Sequence, residues 1–320
     1  MNQVTKAPVA VLAFNRPDYL RETLQSLAVQ TPDALSGREV HLFQDGALNR
    51  ISGCQYTSAE IRNENVKAFL EIFPNGELHV QEDNLGIALH FDFVERYLFE
   101  KRKFEAAIFL EDDLVLSPLY LDVMDKLIAG ALSNERIGCV AAYGNHRASQ
   151  LDQQSNLSKI IHMDHRWAFA TTRRQWLRQR PYIDEYISLI SKMDYQRRNH
   201  YEIVDWFTDK NVAPFVTSQD GVKGAFMNMT GAVALMSYCC YGKYIGEKGI
   251  HWTKEIYESA GFAKTELYEK IPEQFDWPTN EALDDQINLA KQGLRNNINH
   301  ITSIYPFYAN WSKERKSIIK

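Results

Sequence analysis

The chain has 320 residues, 45% of them hydrophobic and 24% charged, with a net charge of −5. That balance supplies an ordinary globular core. Lysine and arginine spread along the chain, with an acidic balance, argue against nucleic acid as the main partner, and no apolar stretch is long enough to span a bilayer.

Residues 8–14 form a continuous apolar run, as a central parallel strand requires. Asn15-Arg16-Pro17-Asp18 breaks it; Pro17 suits the first turn of a helix, and Leu20, Leu24 and Leu27 follow at helical spacing. Residues 39–43 predict a second strand, ending in Gln44-Asp45-Gly46, and 61–73 a helix that stops before Pro74. Residues 77–80 predict a third strand, followed by Asp83-Asn84-Leu85-Gly86. Ile87, Phe91, Val94 and Leu98 share one face of a helix over 87–99. The apolar strand 106–110 then runs into Glu111-Asp112-Asp113; a helix over 119–132 and a strand over 137–143 follow. This alternation predicts an α/β protein, a doubly wound sheet with helices on both faces.

The polar breaks at Asn15-Arg16, Gln44-Asp45, Asp83-Asn84 and Glu111-Asp112-Asp113 all follow predicted strands. In open α/β sheets ligands bind outside the carboxyl ends of the strands. No Gly-x-Gly-x-x-Gly follows the first strand and no Gly-Lys-Ser/Thr loop is present, so a nucleotide would be held in neither of those ways. Three adjacent carboxylates at the tip of a buried strand repel one another and are costly unless neutralised. A divalent cation is the simplest remedy. Oxygen ligands suit Mg²⁺ or Mn²⁺, and the ion could hold a second anion such as a diphosphate.

Residues 145–159 are polar and predict a loop between two halves. A helix over 175–190 is expected to be interrupted at Pro181, and 195–199 to be charged and exposed. Ser218-Gln219-Asp220-Gly221 precedes a stretch rich in small and apolar residues, 227–241; Asp205, beside Trp206, and Asp209 are other acids of this region. In Gly246-Glu247-Lys248-Gly249-Ile250-His251 the glycines allow a flexible lid and Lys248 could meet phosphate charge. A helix is expected over 281–293. Tyr305, Phe307, Tyr308 and Trp311 precede Lys313, Arg315, Lys316 and Lys320. Such a tail can sit at an anionic membrane surface, or pack on the body with a solvated basic end. Cys54, Cys139, Cys239 and Cys240 match neither a metal spacing nor a disulfide framework and fit a reducing cytosol. The polar first six residues lack the core of a signal peptide. A cytoplasmic protein is the expectation.

These residues resemble a nucleotide-sugar glycosyltransferase of the GT-A fold. More narrowly they resemble the N-acetylglucosaminyltransferase I family, which begins the branching of complex N-glycans, and its bacterial relatives. The resemblance runs through Pro-Val-Ala-Val-Leu-Ala-Phe-Asn-Arg at 8–16, Phe-Gln-Asp-Gly at 43–46, Ile-Ala-Leu-His-Phe at 87–91 and Ala-Ala-Ile-Phe-Leu-Glu-Asp-Asp-Leu at 106–114. It covers roughly residues 8–251, with a weak middle. It implies a GT-A-type mixed sheet with a nucleotide-sugar-binding half at 1–144 and an acceptor-binding, catalytic half of the same domain at 145–260. A helical extension and basic-aromatic tail would follow at 261–320.

The resemblance also implies roles. Arg16 and Asp45 would hold the uracil and ribose region of a UDP-sugar, with Phe14 and Asn15 also in the donor site; Asn15 stands where the family commonly has an acid. His90 would contact the nucleotide side, Asp112 the ribose or sugar, and Glu111 the sugar and acceptor side. Asp113 would ligate Mn²⁺ (or Mg²⁺), and His251 would be a second metal or phosphate contact. Gly246, Lys248 and Gly249 would close over the diphosphate. Trp167 would sit near the acceptor sugars. Asp220 would be the catalytic base, with Asp205 and Asp209 as rivals.

The implied reaction is inverting, metal-dependent transfer of a sugar from a UDP-sugar to a hydroxyl of a bacterial surface glycan. GlcNAc is the first guess for the sugar; the acceptor would be lipopolysaccharide or capsule, free or lipid-linked, reached through peripheral contact with the inner membrane. Two alternatives stand beside it: a non-catalytic nucleotide-sugar-binding module, and a sugar nucleotidyltransferase. The latter should carry a glycine-rich basic loop after the first strand, which Asn15-Arg16-Pro17 provides poorly.

Overall fold

The computed structural model describes residues 6–248 and 253–310. Gly249, His251, Trp311, Lys313, Arg315, Lys316 and Lys320 lie outside the described residues. Among those described, the strands are β1 (Val9–Ala13), β2 (Val40–Gln44), β3 (Glu77–Val80), β4 (Ala106–Glu111), β5 (Leu114–Leu116), β6 (Ile137–Ala141), β7 (Ile160–His162), β8 (Ala168–Thr172), β9 (Val233–Ser237) and β10 (Gly242–Tyr244). Eight of them form one sheet in the order β3-β2-β1-β4-β8-β6-β9-β7; β5 and β10 make a separate antiparallel pair.

β1 to β4 run parallel, while β8 is antiparallel to both β4 and β6. The mixed sheet expected from the sequence is therefore present. A strand from beyond residue 144 lies between two strands from before it, so the segments on either side of that boundary share one sheet. Alternation along β1 explains the helices on both faces, because successive strand side chains point to opposite sides. Val9, Val11 and Ala13 pack with Leu20, Leu24 and Leu27 of the helix Pro17–Ala28 and with Leu121, Met124 and Leu127 of the helix Tyr120–Ser133. Ala10 and Leu12 pack with Phe91 and Val94 of the helix Gly86–Arg96. In the β1–β4 register Leu12 is opposite Glu111, which sets Arg16 at the level of the acid tip.

Three expectations change. The polar segment 145–159 contains a helix, Gln150–Ser155, started by a reciprocal cap between Ser149 and Asp152. The helix Arg173–Ile190 runs through Pro181 without interruption. Pro181 removes one backbone bond, and the buried row Trp176, Ile183, Tyr186 and Ile190 holds the turns on both sides. Residues 195–199 are not uniformly exposed, since Tyr195 is buried beneath the Arg198 guanidinium.

The extension after residue 260 is tied to the body. Leu283 and Ile287 of the helix Asn280–Asn296 enter the main core, and Tyr305 and Tyr308 pack against Val204. These two aromatics are therefore packed rather than displayed, which takes them out of a membrane-facing tail. Among the described residues no helix is long and apolar enough to cross a membrane.

Candidate functional site

The acid tip of β4 meets the end of β1 through Arg16. Its Nη1 donates to Asp113 Oδ2 at 2.6 Å, and its Nη2 donates to Asp112 Oδ1. The Phe14 N–H adds a long bond to Asp112 Oδ2 at 3.4 Å. Asp112 and Asp113 are 3% and 1% exposed, yet Asp113 Oδ1 is buried without a hydrogen-bond partner. Burial pushes the Asp113 carboxyl up to about 6, against the pull of Arg16. Burial also holds Glu111 well above the usual carboxylate range, helped by the charges of Asp113 and Asp220. One guanidinium thus offsets part of a three-acid cluster, and one buried carboxylate oxygen is left free to ligate.

A loop after β10 closes on the same carboxylate. The Ile245 N–H donates to the Asp113 carbonyl at 2.9 Å, and the Tyr244 hydroxyl hydrogen-bonds the Asp113 carboxylate. A Cβ on Gly246 would overlap Asp113 Oδ2 and Tyr244 Oη, so only glycine lets the chain pass this close. Gly246→Ala is expected to cost roughly 1–3 kcal/mol through overpacking, read as a lower midpoint in thermal denaturation. An unchanged midpoint would show that the loop can step away from Asp113. Lys248 is exposed, and its backbone is hydrogen-bonded by Tyr19, whose ring lies under the Arg16 guanidinium.

Asp45 and His90 are placed differently from expectation. Asp45 Oδ1 accepts from the N–H groups of Gly46 at 2.8 Å and Leu85 at 2.9 Å; Oδ2 accepts from Asn84 Nδ2 at 3.0 Å and the Gly86 N–H at 3.1 Å. A carboxylate holding four donors within the protein is a strut between the tips of β2 and β3, not a free grip for uracil or ribose. His90 is 3% exposed, with Nε2 unpartnered, and burial lowers its pKa against the pull of Asp45. It is a buried, neutral imidazole beneath the tips.

Two residues to which the sequence assigned no role brace the first tip. Gln44 Nε2 and Asn65 Nδ2 both donate to the Phe14 carbonyl, at 2.8 and 3.0 Å, and Asn65 also bonds Gln44. Asn15 is exposed beside them.

On the other side of the tip, Trp167 is sandwiched. Its ring stacks on His165 at 4.5 Å and on Tyr244 at 4.1 Å, with Tyr143 and Phe262 edge-on. The indole is packed among aromatic rings. It backs the Tyr244 that touches Asp113.

Asp220 lies in the first turn of the helix Gln219–Met229, whose cap is Ser218. That position favours a carboxylate through the helix dipole. Gln219 Nε2 donates to Asp220 Oδ1 at 2.7 Å. The residue is exposed at the helix start, and desolvation by the protein around it pushes its pKa up against the charges of Arg166 and Lys223. Its charge acts on Glu111. Asp205 instead receives the Tyr308 hydroxyl, and Asp209 acts on the same tyrosine. The structure gathers Asp220 with the acid tip, and the two rivals with the C-terminal segment.

Among the described residues, the three-residue group with metal-ligand spacing is His41, Glu77 and His79. It sits toward the amino ends of β2 and β3, away from the acid tip.

Over 126 residues, 38% of the chain, the sequence is 31% identical to an alpha-1,3-mannosyl-glycoprotein 2-beta-N-acetylglucosaminyltransferase of Arabidopsis thaliana; the chain spans only 28% of the length of that curated relative. No family model matches the chain. Among solved structures, S. aureus TarS 1–349 aligns with 90% of this chain and 70% of its own, at 13% identity and a TM-score of 0.42. The glucosyl-3-phosphoglycerate synthase of Mycobacterium tuberculosis, in complex with Mn²⁺, UDP and glucosyl-3-phosphoglycerate, aligns with 90% of this chain and 79% of its own, at 10% identity and a TM-score of 0.36. The fold and site define a mixed α/β protein with an acidic cluster at the carboxyl ends of its strands. In part of its sequence it is similar to a sugar transferase.

Proposed function

We propose that the protein is a metal-dependent, inverting glycosyltransferase of GT-A type that moves a sugar from a UDP-sugar to a glycan hydroxyl. One observation carries the reading: the buried Asp113, with a partnerless Oδ1, at a strand tip also reached by Arg16 and the Gly246 loop. That free oxygen fits an oxygen-seeking cation, Mn²⁺ or Mg²⁺. Asp113 would hold the ion, which when bound neutralises charge on the diphosphate leaving group. Arg16 and Lys248 would meet the donor's anionic end. Asp45 would position the nucleotide-facing tips, with Phe14 and Asn15 at the edge of the donor site. Beyond the described residues, Gly249 and His251 would complete the loop.

Asp220 takes the proton of the acceptor hydroxyl in this reading. An alcohol is a poor nucleophile, and a carboxylate within hydrogen-bond reach removes its proton as the new bond forms. A base on the side opposite the leaving group gives inversion at the anomeric carbon. GlcNAc as the donor sugar follows the matched relative's name. A surface glycan such as lipopolysaccharide or capsule is the acceptor we favour, met at the cytoplasmic face of the membrane.

A panel of nucleotide-sugars with Mn²⁺, read by thermal shift, tests the proposal. A ligand at a hundredfold excess over its Kd stabilises the native state by about 2.7 kcal/mol. UDP-GlcNAc should raise the melting temperature, and other nucleotides should not. A shift only with nucleoside triphosphates, with pyrophosphate release, would point to a nucleotidyltransferase. UDP-sugar binding without transfer to any acceptor would point to a binding module.

A further inference from the structure

A second cluster takes no part in this chemistry. The parallel register sets His41 of β2 opposite Glu77 of β3, and the two-residue spacing puts Glu77 and His79 on one face of β3. His41 Nδ1 is 3.2 Å from His79 Nε2 and 3.5 Å from Glu77 Oε2, and His79 Nε2 is 3.8 Å from the same oxygen. The centre of a triangle with these sides lies about 2.0 Å from each corner, which is the Zn–N and Zn–O bond length. The three ligand atoms are already spaced for one ion.

The surroundings support that use. His41 is fully buried, and its other nitrogen, Nε2, makes no hydrogen bond although it lies 3.3 Å from a Glu39 carboxylate oxygen. A carboxylate behind an imidazole is the kind of outer contact that orients a metal-binding histidine, and Arg102 holds this one in place. Tyr97 and Arg102 donate to Glu77, both at 2.9 Å, and Phe43 stacks on His79 at 4.3 Å, so the other two ligands are also oriented. The Glu77 and His79 side chains keep one side open to solvent, where a water would be the fourth ligand. Arg102 and Lys101 face the cluster and oppose a cation. The occupant must draw its affinity from imidazole, which favours a zinc-class ion over Mg²⁺ or Mn²⁺.

We propose that His41, Glu77 and His79 bind one divalent transition metal of the zinc class, which clips the edge strand β3 to β2 behind the Asp45 strut. The proposal stands apart from the transferase reading, so the test uses full-length Asp113→Ala protein, in which the acid tip contributes no site. Co²⁺ titrated into it should give one equivalent of a tetrahedral visible spectrum, displaced by Zn²⁺. His79→Ala in that background should abolish the spectrum, Glu77→Gln should weaken it, and Glu39→Gln should raise the Kd roughly 10- to 100-fold. If His79→Ala fails to fold, the half-buried Glu39 and the half-exposed Glu77 still give a readout. No tetrahedral spectrum, or one unchanged in Glu77→Gln and Glu39→Gln, would overturn the site and leave a hydrogen-bonded imidazole pair.

Discussion

Asp220→Asn is expected to lower sugar transfer by roughly 10²- to 10⁴-fold, the usual worth of a positioned general base, with UDP affinity close to that of the wild type. The carboxylate sits where its charge already acts on Glu111, at the end of the acid tip nearest the acceptor in our reading. Gln219 orients it and the helix terminus supports it. The amide keeps the size and most hydrogen bonds but cannot take a proton. Asp205→Asn should leave turnover in place and loosen the C-terminal segment instead, because Asp205 receives the Tyr308 hydroxyl. Steady-state kinetics on both variants, with UDP calorimetry, decide between them. If Asp205→Asn causes the loss and Asp220→Asn does not, the base is misassigned.

Asp113→Ala is expected to remove the metal-dependent part of UDP binding and all measurable transfer while the protein stays folded. Folding survives for an electrostatic reason. The folded Asp113 binds its proton more tightly than an ordinary aspartate, up to about 6. Its favourable contribution to stability is complete below the unfolded value of about 3.9 and is lost as pH rises through that folded value. At pH 7 the ionised group is a burden on the fold, and Arg16 keeps Asp112 as a partner when it goes. The variant should melt at or above the wild-type temperature at pH 7 and yet fail to bind UDP with Mn²⁺. A protein that unfolds instead would show Asp113 to be a structural ion-pair partner.

The acid tip was legible in the sequence because an apolar strand ended by three carboxylates fits few environments. The parallel strands β1, β2 and β4 were legible for the same reason, as buried runs with polar ends. What stayed hidden depends on partners far along the chain. Asp45 looked like a turn or a ligand grip, but the Leu85 N–H that engages it is 40 residues away. Trp167 was an acceptor-side residue by resemblance or a core aromatic, and its stacking on His165 and Tyr244 was not readable from the sequence. Pro181 signals a break by local rules, and tertiary packing along the helix overrides it. His41, Glu77 and His79 form a triangle only through the β2–β3 register, which no local pattern sets.

The central claim is that a cation joins Asp113 to the diphosphate of a UDP-sugar. Titrating UDP into the wild-type protein by calorimetry, once with Mn²⁺ and once with EDTA, tests it most directly. We predict binding with Mn²⁺ that is lost with EDTA. Equal affinity under both conditions would contradict it.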